Sequence, residues 1–317
     1  IKIVRMALLA LIGLFVLFKY QNAVIFSLIF VFTEIIVLLI AYFIAYTKFI
    51  KLTEKIDFKF SKELVKKALP FGFAFVFSSI YFYIGSVMIS KIRGDVEVAI
   101  YSAGYNLALA ILFIPTVYMN ALYHVMSRYF KNSKDNLVFI YKKSFKYLYI
   151  IGLPVSAGIY FLADKIITFL YGDKYASSII VLQIIAWFLF IKFINFLIGF
   201  TLSSIDRQNE RMISQGSTAL FNIALNLILI PKMGYIGAAI ATFITEIFLF
   251  IMYYWYVSKH LCAYNFMPIL IKPILAVAAM AAFINFTNFN LIASVILAAF
   301  IYFAVIILLK TFEKDDY

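Results

Sequence analysis

Apolar stretches of about 20 residues recur from one end of this chain to the other, each parted from the next by a polar segment. As a helix, such a run crosses the ~30 Å hydrocarbon core of a bilayer. Lipid offers no partner to a backbone N–H or C=O, so a spanning segment is either a helix or a strand of a closed barrel. Barrel strands alternate apolar and polar residues over about 10 positions, and these runs do not alternate. The pattern predicts an all-α, polytopic transmembrane helix bundle of about ten spans.

The spans run over 4–18, 23–46, 71–89, 98–126, 147–163, 179–203, 213–230, 236–257, 271–286 and 291–309. The fourth is too long to lie straight and contains Pro115; the fifth contains Pro154; Pro231 ends the seventh. A proline removes one backbone hydrogen bond and bends a helix. The charge-rich stretch Thr47–Leu69 separates two spans from a set of six, and two more follow. This linker is expected either to tether in solvent or to lie on the membrane surface as an amphipathic helix.

Only 14% of the residues are charged, against about 25% in soluble domains. The net charge of +13 would suit nucleic acid, but the charges are scattered between apolar spans and build no continuous basic face. Loop lysines that stay in the cytoplasm explain them better. Of the 28 Lys and Arg, 21 fall on one side of the threading and 6 on the other, with Lys192 inside a span. That asymmetry predicts a multi-pass protein of the cytoplasmic membrane with both ends of the chain inside. The outer loops are too short to hold a domain. A single cysteine excludes an internal disulfide and any multi-cysteine metal centre, and two histidines argue against zinc. No phosphate-cradling G-x-x-x-x-G-K-[ST] is present, and no cofactor is expected.

Three ionisable residues sit near mid-span: Glu34, Lys192 and Glu246. Each costs about 2.5–3.5 kcal/mol on insertion scales, so each faces a cavity or a partner. They read as a polar translocation path or as an ion pair locking helices. Asn195 and Gly199 share the helical face of Lys192. In the seventh span Gln215, Thr218, Asn222 and Asn226 form a stripe on one side, either lining a path or bonding neighbouring helices. Asn120, His124 and Arg128 recur every four residues at the inner end of the fourth span. An Arg there suits a phosphate, or anchors the helix at the headgroups. Gly234, Gly237, Ala238 and Ala241 suit close helix packing.

Several segments resemble known transporters. Leu69-Pro-Phe-Gly-Phe, then Ile100-Tyr-Ser-Ala-Gly-Tyr-Asn and Phe113-Ile-Pro, are similar to segments of the polysaccharide flippases. So are Phe169-Leu-Tyr-Gly-Asp-Lys-Tyr, Val181-Leu-Gln-Ile-Ile-Ala-Trp and the run from Asn222 to Ala241. These resemble the C-terminal half of O-antigen and repeat-unit transporters of the multidrug/oligosaccharidyl-lipid/polysaccharide exporter superfamily. The resemblance implies two six-helix lobes around a central cavity, with the first four helices missing here. Residues 1–69 would hold the last two helices of the N-terminal lobe and the basic linker, 70–257 the six-helix C-terminal lobe, and 258–317 two additional helices and a short tail.

The resemblance implies no enzyme but a flippase that turns over a lipid-linked oligosaccharide, a sugar repeat unit on a polyisoprenyl (di)phosphate, by alternating access. Its partners would be that glycan, membrane lipids, and the glycosyltransferases and polymerase of polysaccharide export. Position assigns substrate-binding roles to Lys192, Asn195, His124, Arg128, Asn120, Asn222 and Asn226, and ion coupling to Glu34 and Glu246. Two alternatives stand beside it: a cation-coupled multidrug exporter of the same superfamily, and a membrane glycosyltransferase or polymerase using the same lipid donor.

Overall fold

The computed structural model describes residues 5, 6, 9, 12, 13, 23–48, 57–264 and 266–311, and the regular structure among them is helical. Most of the first expected span, and residues 49–56 of the basic linker, lie outside the described residues. The chain divides into two compact units, 1–65 and 66–317.

In the first unit, α1 (Ala23–Lys48) is apolar around most of its surface, interrupted at Thr33 and Glu34. A helix that is apolar nearly all round suits lipid. Glu34, part-way along it, pairs with Arg5 at 2.6 Å, both side chains about half exposed. The unit closes on the start of α2 (Phe58–Arg93), where the Asp57 carboxylate accepts from the Lys59 and Phe60 amides and caps the helix.

The second unit continues α2 to Gly94, whose φ of +95° ends the helix. There follow α3 (Asp95–Ile111), α4 (Phe113–Asn132), α5 (Lys134–Phe161), the short α6 (Ala163–Tyr171), a 3₁₀ turn, α7 (Ser178–Ser204), α8 (Gln208–His260), α9 (Met267–Phe286) and α10 (Leu291–Leu308). Among the described residues seven helices are long and apolar enough to cross a membrane, or eight when α5 and α6, bent by 69°, count as one span. The ten expected spans map onto these once the first is set aside and the seventh and eighth are joined as α8. The fourth span is interrupted at Leu112 (φ −63°, ψ −8°), between α3 and α4 and not at Pro115 itself, and the two helices count together as one span. A proline is tolerated in the first turn of a helix, and it displaces the break to the residues before it.

Pro231 does not end the seventh span. The helix runs on through it and breaks at Gly234 (φ 57°, ψ −137°), a conformation open to glycine. The second arm of α8 then folds back along the first, as the bond from Asn222 Nδ2 to Thr245 Oγ1 (3.1 Å) shows. The reversal is clamped from the α2–α3 hairpin. Arg93 donates to the Ile230 and Pro231 carbonyls (3.3 and 2.8 Å), and Glu97 accepts from the Tyr235 amide (2.9 Å). A carboxylate at the start of the second arm also complements the helix dipole.

The central helix is α7. It packs against α3, α4, α5, α6 and α8, and its residues Phe188, Leu189, Phe193 and Leu197 are fully buried. A second, smaller core, built on Ala157, Met280, Ala298 and Tyr302, holds α9 and α10 against α5.

Candidate functional site

Within this apolar bundle a polar knot forms where α2, α7 and the second arm of α8 meet. Lys192 of α7 points at Glu246 of α8, Nζ to Oε2 at 3.1 Å. Asn195, one turn along α7, donates from Nδ2 to Glu246 Oε1 (2.7 Å) and to the Glu246 carbonyl (3.1 Å). Tyr81 of α2 donates its hydroxyl to Glu246 Oε2 at 2.8 Å. The carboxylate is 0% exposed and accepts from three side chains.

A buried charge is tolerated when paired and hydrogen-bonded. Lys192 meets both conditions and a third: its Nζ lies 5.0, 4.7 and 5.8 Å from the ring centres of Tyr81, Phe82 and Phe188. Aromatic faces attract a desolvated cation. The network continues through Thr242, one turn before Glu246. Its hydroxyl is 3.3 Å from that of Tyr101 and donates to the Ala238 carbonyl.

Beside the knot lies a cavity of about 80 Å³ lined by α2, α7 and both arms of α8. Its polar walls are Ser78, Lys192, Asn195, Arg211 and Gln215. Gly199 lies one turn beyond Asn195. A Cβ there would approach the Tyr253 ring to 2.9 Å, so glycine lets Tyr253 close one wall. Asn195 Oδ1, Arg211 Nε and Gln215 Oε1 are buried without a hydrogen-bond partner among the described residues. Unpartnered polar atoms are rare in protein interiors, and the residues that carry these three line the same void.

The residues singled out by sequence fall into three groups. Lys192, Asn195 and Glu246 come together in the knot. Asn222 and Asn226 are buried in the first arm of α8, where Asn226 donates to Asn222 (2.9 Å) and Asn222 to Thr245; they join the two arms. Asn120, His124 and Arg128 share one exposed face of α4 and do not line this cavity. Glu34 belongs to the first unit, with Arg5. Two further residues carry little signal in the sequence. Tyr81 is one tyrosine among 23. Arg211 sits near a helix end, where cations are common, yet it extends the Gln215–Thr218–Asn222–Asn226 stripe by one more turn at the same spacing.

Comparison with known proteins agrees with this architecture. A family model described as "Polysaccharide biosynthesis protein" matches residues 2–130. A membrane protein of Methanocaldococcus jannaschii, MJ1068, is 27% identical over 270 residues, which cover 82% of this chain and 52% of that protein. The chain thus spans about half the length of that relative. Among solved structures, the lipid II flippase MurJ in an inward closed conformation superposes with a TM-score of 0.73 at 19% identity, covering 96% of this chain and 66% of that one. A transporter of the same superfamily from Pyrococcus furiosus superposes with a TM-score of 0.52 at 17% identity, covering 69% of this chain and 51% of that one. The MatE family model matches residues 70–228, half of the chain. The chain belongs to the MatE family, within the multidrug/oligosaccharidyl-lipid/polysaccharide exporter superfamily of membrane transporters.

Proposed function

We propose that this chain is part of a flippase that moves a lipid-linked oligosaccharide, a sugar repeat unit on a polyisoprenyl (di)phosphate, across the cytoplasmic membrane. The observation that carries the reading is the polar cavity beside Lys192 and Glu246, deep inside an otherwise apolar bundle. A hydrated sugar cannot cross hydrocarbon unaided. A polar path through the bundle would carry the head while the lipid tail stays in the bilayer, and the void of about 80 Å³, room for two or three waters, would be one station on that path. The fold shared with a lipid II flippase and the match to the polysaccharide-biosynthesis model support the same cargo class. The chain works as a transporter and not as an enzyme. Both of its ends lie in the cytoplasm, following the loop lysines, and polymerase and glycosyltransferases act on either side of it.

Transport would alternate between two openings, with Glu246 as the carboxylate that couples it to an ion gradient and Lys192 as its counter-charge. Asn120, His124 and Arg128 would meet cargo from the exposed face of α4. Glu34 is a second candidate for coupling. The test is a deletion strain. Lipid-linked glycan should accumulate on the inner leaflet and clear when the wild-type gene is restored. Normal glycan export in the deletion strain would overturn the reading.

One observation favours a second reading. The MatE match takes in Tyr81, Lys192 and Asn195 and stops short of Glu246, and a buried carboxylate also suits a cation-coupled exporter of organic cations. Cation efflux by the reconstituted protein, with no movement of lipid-linked glycan, would decide for it.

A further inference from the structure

A second cavity, of about 830 Å³, lies between α5, α7, the second arm of α8 and the start of α9. It exists because α9 packs chiefly on α5 and α10 and stands off from α7 and α8. Its walls include Phe190, Ile191 and Ile194 of α7, Ile247 and Phe250 of α8 and Leu270 of α9. Two of its three tyrosines spend their hydroxyls on backbone carbonyls, Tyr254 on that of Tyr264 (3.1 Å) and Tyr149 on that of Leu270 (3.5 Å). Such walls take an apolar group. The strap 261–266 closes one end, where Phe266 stacks on Phe145 with ring centres 3.7 Å apart and meets Tyr264 edge-on. At this rim the Lys142 ammonium stands 5.0 Å from the centre of the Tyr264 ring. Among the described residues no carboxylate pairs with Lys142. An apolar hole with a cationic rim fits an anionic amphiphile.

Size and position narrow the amphiphile. An acyl chain of about 16 carbons, each needing about the 30 Å³ of a water, takes up about 500 Å³, so the gap admits one chain and not two. Protein interiors leave few voids larger than a water, and the chains of the surrounding bilayer are at hand to fill this one. A transported tail fits the position poorly. Among the described residues none lines both this gap and the polar cavity beside Lys192. Ile191 and Ile194 face the one, Lys192 and Asn195 the other, so α7 walls off a tail lying here from a head lying there. The stacked strap also suits a lipid that stays. We propose that the gap seats a resident anionic phospholipid, with one acyl chain between α7, α8 and α9, its phosphate at Lys142 and its second chain in the bilayer. It wedges α9 against the lobe, whatever the cargo.

The closing experiment uses the full chain, stripped of lipid in a neutral detergent, and two probes with the same acyl chains, phosphatidylglycerol and phosphatidylcholine. Native mass spectrometry should show one tightly held phosphatidylglycerol. It should bind about fivefold more tightly than phosphatidylcholine, one lysine's share of the attraction to anionic lipid, and raise the unfolding midpoint further. Lys142→Gln should abolish that preference. Lys131→Gln, on an exposed residue of α4 outside the gap, should keep it. Leu270→Trp fills the gap and should lose both lipids. Equal binding of the two lipids by the wild type, an unaltered preference in Lys142→Gln, or undiminished phosphatidylglycerol binding in a folded Leu270→Trp would overturn the site. Should Leu270→Trp fail to fold, Lys142→Gln decides alone, since its side chain is only half-buried. A polyprenyl phosphate that displaces phosphatidylglycerol at equal concentration would give the gap to a transported tail and end the case for a resident lipid.

Discussion

The Tyr302 hydroxyl of α10 donates to the Ile150 carbonyl of α5 at 2.8 Å. Ile150 is the residue four positions before Pro154, so its carbonyl has no helical N–H to accept from. In a lipid-embedded helix that vacancy is costly, and the fully buried Tyr302 fills it from a neighbouring helix. The acceptor left over at Pro154 and the docking of α10 are thus one feature.

Tyr302→Phe should destabilise the protein by about 1–3 kcal/mol, the penalty for an orphaned buried acceptor. Pro154→Ala restores the missing amide. In the Pro154→Ala background the cost of Tyr302→Phe should therefore fall well below its wild-type value. Thermal melts of the four proteins of this cycle check it, and strict additivity would refute the coupling.

Breaking the Lys192–Glu246 pair should be severe. Lys192→Met or Glu246→Gln alone leaves one buried group without its partner and should cost about 3–5 kcal/mol. The double change Lys192→Met, Glu246→Met removes both charges and should recover most of that loss. Transport by the recovered double variant then separates roles. Flipping at the wild-type rate would make the pair purely structural; a stable but inactive protein is expected.

Gly234 should tolerate no side chain. A Cβ there meets the Glu97 carboxylate, and the φ of +57° resists L residues. Gly234→Ala should cost about 1–3 kcal/mol from backbone strain alone. Glu97→Ala, which removes the cap on Tyr235, should cost about 1 kcal/mol. The double variant should fall short of the sum, because removing the carboxylate relieves the collision while the strain persists. Unfolding midpoints of the set provide the measure.

Cys262, the one cysteine of the sequence, follows α8 in a loop. Burial pushes its thiol above the ordinary value, while Lys142 and Lys134 pull it back. Because the thiolate is the reactive form, alkylation should be slow at neutral pH and keep accelerating beyond the pH at which a free cysteine levels off. In intact cells a membrane-impermeant maleimide should not label it until the cytoplasmic side is opened. Labelling from outside would reverse the proposed orientation.

Much of the fold was legible because lipid imposes a simple rule. A run that is apolar around most of its surface and long enough to span has one way to satisfy its backbone, so α1, α7, α9 and α10 could be read directly. The bends were less legible. Pro115 and Pro231 mark places where an amide is missing, but the chain breaks at Leu112 and at Gly234, where neighbouring residues release it most easily. Of the site, the sequence supplied Lys192, Asn195 and Glu246 because ionisable and amide groups in mid-span are conspicuous. Tyr81 and Arg211 were hidden: tyrosine is common here, and an arginine near a helix end looks like a headgroup anchor.

The sequence by itself determined the solvent, the helical class and the superfamily, since those follow from hydropathy period, length and a run of local motifs. Only the tertiary structure decided which polar groups meet. Lys192 and Glu246 stand 54 positions apart in the chain, and a pairing across that distance depends on how α8 folds back at Gly234 and how both arms settle on α7. Local pattern carries no record of such a choice, because packing and charge compensation are properties of the assembled bundle.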